Sequence, residues 1–344
     1  MKVSHLKKHF RIKEGFAKPK ILRAVDGVSF DIYEGETLGL VGESGCGKST
    51  LGRNILRLQE PTEGTVTFED QDVLSLSNRD LRNLRKDMQM IYQDPFGSLN
   101  PRFSIGQSIG EMYDIHQLYK GKEKEQKIQE LLEYVGLDPT RMNHYHMSFL
   151  GGKDQRVGIA RALALNPKFI VADEPVSALD VSVQSQIINL LMRLKKELGL
   201  TLLFIAHGLN VVRHISDRVG VMYLGKLVEL AHTDEVFDSP AHPYTAALLS
   251  TVPEANHVKK ERIILRGEVP SPANPPSGCR FQTRCPLATN LCKQEIPELT
   301  EMTPGHFVAC HYPLQPYETL QDAIKKTKSR RSMMYANKKR NRKS

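Results

Sequence analysis

No apolar stretch of this sequence approaches the roughly 18 residues that a membrane-spanning helix needs. The longest candidates, such as Thr201 to Ala206, are strand-sized. The N-terminus, Met1-Lys2-Val3-Ser4-His5, lacks the apolar core of a signal peptide. Both absences point to a cytoplasmic protein that a partner can hold at a membrane. No internal repeat is visible. The chain body also lacks an excess of positive charge. The net charge is +9, yet residues 325–344 alone hold ten Lys or Arg and no acid, which leaves −1 for the rest. The basicity therefore reads as a solvated tail. Contact of that tail with anionic lipid or RNA is the sharper option. Otherwise the 344 residues, 40% hydrophobic and 25% charged, suit one large soluble domain or two smaller ones.

Cysteine is scarce and clustered. Cys46 stands alone, whereas Cys279, Cys285, Cys292 and Cys310 follow a C-x5-C-x6-C-x17-C spacing. Cytosolic cysteines so grouped favour a metal over disulfides. The tight C-x2-C pairs of common zinc sites are missing. Four thiolates suit an iron–sulfur cluster or zinc, and plain reduced thiols remain the third reading.

What is present centres on Gly42-Glu43-Ser44-Gly45-Cys46-Gly47-Lys48-Ser49-Thr50, which fits G-x-x-x-x-G-K-[ST]. It follows an apolar strand, Thr37 to Val41, and precedes a helical stretch from Leu51. Glycines let the backbone curl its N–H groups around phosphate oxygens, and a helix N-terminus adds its dipole. Lys48 can reach the β- and γ-phosphates, and Ser49 can ligate Mg²⁺. A second apolar strand from Phe169 ends in Asp173-Glu174. Asp173 can support Mg²⁺, and Glu174 can polarise an attacking water. Gln93 and His207 also close strands, and each can sense a γ-phosphate. Gln93 can in addition touch Mg²⁺.

Strands alternating with helices predict a mainly parallel sheet covered on both faces. Residues 1–35 read as antiparallel edge strands, and a helical insertion is expected over about 96–155. Ser182 is the expected N-cap of a helix reaching Leu198. Beyond about Leu230 the alternation fades into irregular chain.

The loop from Gly42 to Thr50, Gln93, Gly151-Gly152, Phe169 to Asp180 and His207 together resemble the ATPase subunit of an ABC transporter. Finer segments are similar to the oligopeptide, dipeptide and nickel importers. They are Ser98 to Arg102, Ser177 to Ser182, Ala241 to Thr245, and Pro270-Ser271-Pro272 through Arg284-Cys285-Pro286. Within that group the Cys46-containing loop looks like the second of two non-identical ATPase subunits. The resemblance implies an α/β fold: a RecA-like P-loop core, an antiparallel β subdomain, the helical insertion, and a cysteine-bearing C-terminal extension. The ATPase domain would span 1–230, the extension 231–324 and the basic tail 325–344. It implies ATP and Mg²⁺ as cofactors, and Phe10 as the adenine-stacking aromatic. Some members carry a 4Fe–4S cluster at the C-terminal cysteines. Implied partners are a second ATPase subunit, two membrane permeases and an external substrate-binding protein, at the cytoplasmic face of the membrane. In the family two subunits clamp two ATP molecules head to tail, each between one chain's phosphate loop and the other's signature.

That signature, Leu-Ser-Gly-Gly-Gln in the family, is here Phe149-Leu150-Gly151-Gly152-Lys153. Leu150 removes the hydroxyl that would meet the partner site's γ-phosphate. One lost hydrogen bond to a charged group costs about 1.5–3 kcal/mol. His207 is followed by Gly208 where the family has Asp, a small change at a helix cap. A nickel importer and a nucleic-acid-acting ABC ATPase are the alternative functions.

Overall fold

The computed structural model describes residues 1–13, 19–145, 152–251 and 263–327. The chain opens with β1 (Lys2–Ile12), β2 (Lys20–Asp31), β3 (Thr37–Val41), α1 (Lys48–Ile55), β4 (Glu63–Phe68) and β5 (Gln71–Asp72). Next come α2 (Asn78–Leu84), β6 (Met88–Ile91), α3 (Pro95–Ser98), α4 (Ile105–Ile115), α5 (Gly121–Tyr134) and a 3-10 turn over Pro139–Asn143. Then follow α6 (Lys153–Leu163), β7 (Phe169–Asp173), α7 (Val181–Leu198), β8 (Thr201–Ile205) and α8 (Leu209–Ile215). The C-terminal part holds β9 (Arg218–Tyr223), β10 (Lys226–His232), α9 (Thr233–Asp238), α10 (Pro243–Leu249), α11 (Asn290–Gln294), β11 (Thr300–Thr303) and β12 (His306–Val308). No helix among the described residues is long and apolar enough to cross a membrane.

Two compact units divide the chain. The first is Met1–Lys8, Gly27–Val41 and Lys48–Asp217; the second is His9–Asp26, Gly42–Gly47 and Arg218–Ser344. In the first unit β3, β8, β7 and β6 lie side by side in parallel, with Leu38 opposite Leu203, Val171 opposite Leu203 and Met90 opposite Val171. Every residue of β3, β7 and β8 is buried, as a parallel sheet covered on both faces requires. Helix α1 packs on β7 and β8. A Cβ on its Gly52 would stand 2.8 Å from Val171 Cγ1, so only glycine lets this helix lie so close to the sheet. β1 pairs antiparallel with β4, Val3 facing Val66, as the edge pattern predicts. The insertion is helical: α4 starts in a Ser104–Gln107 capping box and packs on α5 and α6. Ile105, Ile109, Tyr113, Ile128 and Leu132 form its buried face.

The second unit departs from expectation. Chain read as irregular beyond Leu230 contains β11 and β12, and β10 pairs antiparallel with both β9 and β12. The strands of this unit are thus antiparallel, where the alternation suggests a mainly parallel sheet. A buried carboxylate organises this unit. Glu229 is fully buried and accepts the N–H groups of Ala241 at 2.7 Å and His242 at 2.9 Å, and His306 Nε2 lies 2.8 Å away. A small core of Ala246, Ala247, Leu287, Leu314, Leu320 and Ala323 closes the C-terminal segment. One helix start also shifts: α7 is capped at Asp180, so Ser182 sits inside its first turn.

Candidate active site

The phosphate loop is continuous in sequence, but Gly42–Gly47 belongs to the second unit and Lys48 onward to the first. Gly42, Gly45 and Gly47 take φ of +150°, +74° and +108°, a region L side chains rarely enter. A Cβ on Gly47 would lie 2.0 Å from the Ala24 carbonyl oxygen, so the loop's path is reserved for glycine. Inside the loop the Cys46 N–H donates to Glu43 O at 3.2 Å, and Gly225 N–H donates to Cys46 O at 2.9 Å. Cys46 is buried, while Ser44 and Gly45 are exposed at the tip. Lys48 is the buried first residue of α1, and Ser49 and Thr50 follow, each half-buried.

In the first unit Ser49 Oγ donates to Asp173 Oδ1 at 2.7 Å. The other oxygen, Oδ2, is buried without a hydrogen-bond partner among the described residues, and the Arg53 guanidinium stands 3.7 Å off. Burial holds the Asp173 carboxyl above the usual carboxylate range, against the pull of Ser49, Arg53, Lys48 and His207. A buried carboxylate oxygen lacking a partner beside a serine hydroxyl fits a hard, oxygen-seeking cation such as Mg²⁺, which takes few protein ligands and keeps its waters.

Three adjacent strands deliver the remaining groups. Gln93 follows β6, Glu174 follows β7 and His207 follows β8. Gln93 Nε2 donates to Glu174 Oε2 at 2.8 Å, and His207 Nε2 lies 2.6 Å from Glu174 Oε1. The Glu174 side chain is 6% exposed and that of His207 43%. The Glu174 N–H is tied to Ile205 O at 2.9 Å, and its φ is +48°. Left-handed backbone at a non-glycine residue is strained, and such strain concentrates where a side chain must be aimed. Each carboxylate oxygen carries one contact, which leaves further lone pairs to accept from a water.

Other expected residues fall elsewhere. Gly152 caps α6 with φ +77°. Gly151, with Met147, Ser148, Phe149 and Leu150, lies outside the described residues. Phe10 is half-buried on β1 in the second unit. Cys279, Cys285, Cys292 and Cys310 are all free thiols and line one small void of about 10 Å³ with His242 and Phe281. Burial pushes the Cys285 and Cys310 thiols up to about 12, and raises Cys279 as well. A void of that size holds one water at most. Among the described residues no three His, Cys, Asp or Glu stand close enough to hold a metal ion. As arranged, the thiols are gathered but do not fit a cluster. Sequence reasoning also missed Arg284 and Tyr244 as neighbours of Glu43 in the loop, although both lie in segments that carried the family resemblance.

A glycine loop opening a helix, a buried Asp beside its serine, and a Glu held between Gln and His define a P-loop nucleotide hydrolase. A family model described as ABC transporter matches residues 25–177, and one described as Oligopeptide/dipeptide transporter, C-terminal region, matches 228–292. The oligopeptide transport ATP-binding protein AppF of Bacillus subtilis is 56% identical over 317 residues, covering 90% of this chain and 96% of AppF. A putative peptide import ATP-binding protein of Brucella ovis is 51% identical over 311 residues, covering 90% of this chain and 96% of that protein. Among solved structures, the ATP-binding cassette MJ0796, a dimer in a post-hydrolysis state bound to ADP and Pi, matches with TM-score 0.61 and 30% identity. That match covers 67% of this chain and 98% of the cassette. The chain belongs to the ATP-hydrolysing subunits of ABC transporters, in their oligopeptide and peptide-import branch.

Proposed function

We propose that this chain binds and hydrolyses ATP to power import of oligopeptides through separate membrane permeases. The observation that carries the reading is the joined set Ser49–Asp173 and Gln93–Glu174–His207, on a chain similar along 90% of its length to an oligopeptide transport ATP-binding protein. Residues Gly42 to Thr50 hold the triphosphate, with Lys48 on the outer phosphates. Ser49, Asp173 and Gln93 hold Mg²⁺, which when bound neutralises phosphate charge. Glu174 draws the proton from the attacking water. His207 reports the γ-phosphate and steadies Glu174, Phe10 stacks on adenine, and Gly151 with Gly152 serves the opposite ATP.

The partners are a second, non-identical ATPase subunit, two permeases and an external binding protein, so the chain sits peripherally at the cytoplasmic face. A groove of about 570 Å³ in the first unit supports a permease site. Leu81, Met90 and Met112 line it beside Arg82, Arg85 and Arg161. It adjoins the segment after Gln93 and suits an amphipathic element with an acidic edge.

The altered signature makes the two ATP sites unequal. The site built on this chain's loop and the partner's signature is the active one, and the site completed by Leu150 is slow. Restoring the hydroxyl and amide with Leu150→Ser plus Lys153→Gln is expected to raise turnover of the assembled complex. Steady-state ATPase assays decide this, and unchanged turnover removes the asymmetry. The four C-terminal thiols, gathered without the spacing a cluster needs, are read as reduced thiols rather than as the 4Fe–4S site that the resemblance implies. Iron and sulfide analysis of anaerobically purified complex tests it, and finding both in cluster ratio would overturn it.

A further inference from the structure

A residue of the C-terminal segment grips the phosphate loop from outside. Arg284 Nη1 donates to Glu43 Oε2 at 2.7 Å and Nη2 donates to Oε1 at 3.0 Å. The Arg284 side chain is 9% exposed and that of Glu43 27%, so the fork is largely shielded from water. The guanidinium lies over the Tyr223 ring, 5.9 Å from its centroid. The backbone of Glu43 is fixed as well: its N–H donates to the Tyr244 hydroxyl at 2.9 Å. Tyr223, Tyr244 and Phe281 pack on one another with centroids 4.7, 5.3 and 5.4 Å apart. All these residues belong to the second unit.

The segment bearing Arg284 is itself anchored. The N–H groups of Arg284 and Cys285 both donate to Phe281 O at 3.0 Å, and Cys279 N–H donates to Cys292 O at 2.8 Å. At the other end of the segment Arg280 pairs with Asp26, which also meets His9 Nε2 at 3.0 Å. The fork therefore reaches Glu43 from a fixed base.

Two physical effects follow at the loop. A glycine-rich loop surrenders much backbone freedom when it wraps an anion, and a loop already tied at Glu43 surrenders less on binding. Glu43 also places a carboxylate in the second position of a loop that receives a triphosphate. A bidentate guanidinium cancels that charge with a geometry an ammonium cannot copy.

We propose that Arg284 is a positioning residue for the ATP site: paired with Glu43, it holds the phosphate loop ready and offsets a carboxylate that would otherwise repel the nucleotide. The cysteine-bearing segment then acts as a brace on the loop. The inference rests on reading Gly42 to Thr50 as the phosphate cradle.

The test uses the full chain in its assembled complex. KM and kcat for MgATP, and the Kd of a fluorescent ATP analogue, are measured for four variants. These are Arg284→Ala, Arg284→Lys, Glu43→Gln, and Arg284→Ala combined with Glu43→Gln. Arg284→Ala is expected to raise KM and Kd about tenfold, with kcat at saturating ATP within about twofold of the parent. Arg284→Lys falls between. Adding Glu43→Gln to Arg284→Ala recovers most of the affinity, because the carboxylate that has lost its guanidinium is gone. A residue that merely stabilised the fold would give no such recovery. An unchanged KM in Arg284→Ala, or a double variant as weak as the product of the singles, overturns the proposal. If Arg284→Ala does not assemble, Arg284→Lys with and without Glu43→Gln reads the same recovery. Lys48→Ala separates the two layers: unchanged nucleotide affinity there removes the cradle reading itself, whereas silent Arg284 variants beside a defective Lys48→Ala remove only the brace.

Discussion

In the assembled complex, Glu174→Gln is expected to lower ATP turnover by about 10²- to 10⁴-fold, the usual reach of a general base. MgATP binding should persist. Glutamine keeps the shape of the side chain and can still accept from Gln93, whose Nε2 lies 2.8 Å from Glu174 Oε2. It has no carboxylate to take a proton from water. The expected signature is a complex that loads nucleotide and retains it, seen as stoichiometric bound ATP with almost no phosphate release. His207 lies 2.6 Å from the other oxygen, so a substitution there should act through Glu174 and cost less. The strained φ of +48° at Glu174 belongs to the backbone and is unchanged by this variant. Loss of turnover is therefore attributable to the carboxylate.

The second large effect is at the loop. Lys48→Ala is expected to weaken MgATP binding by about a hundredfold or more, corresponding to about 3 kcal/mol of charge-assisted hydrogen bonding. Lys48 is buried at the start of α1, where its ammonium and the helix dipole would act on the same anion. Alanine is the best helix former, so α1 should persist. Equilibrium titration with a fluorescent ATP analogue measures the loss, and circular dichroism confirms the helix.

Much of the site was legible because its chemistry stands at strand ends. The pattern of a largely apolar strand closed by a polar residue marks Gln93, Asp173-Glu174 and His207 separately. Their parallel neighbours β6, β7 and β8 then bring the three ends together without further information. The hairpin of β9 and β10 was not legible. Its turn, Leu224-Gly225, has φ of +45° and +78°, the two-residue turn that asparagine–glycine normally announces. Leucine in the first position hides that signal. The Arg284–Glu43 fork was not legible either, because the partners are separated by 241 positions and nothing local links them. The four cysteines show the reverse limit. Their clustering in sequence survives as a shared void, but the thiols stand without the spacing a metal ion needs.

Hydrolysis at this chain's phosphate loop and Glu174 is proposed to drive peptide import. The most direct measurement is uptake of a labelled oligopeptide into proteoliposomes holding the complete complex, its binding protein and MgATP. Peptide accumulation is expected to follow ATP hydrolysis and to disappear with Glu174→Gln, although nucleotide still binds. Undiminished accumulation by the Glu174→Gln complex would show that import does not depend on this carboxylate.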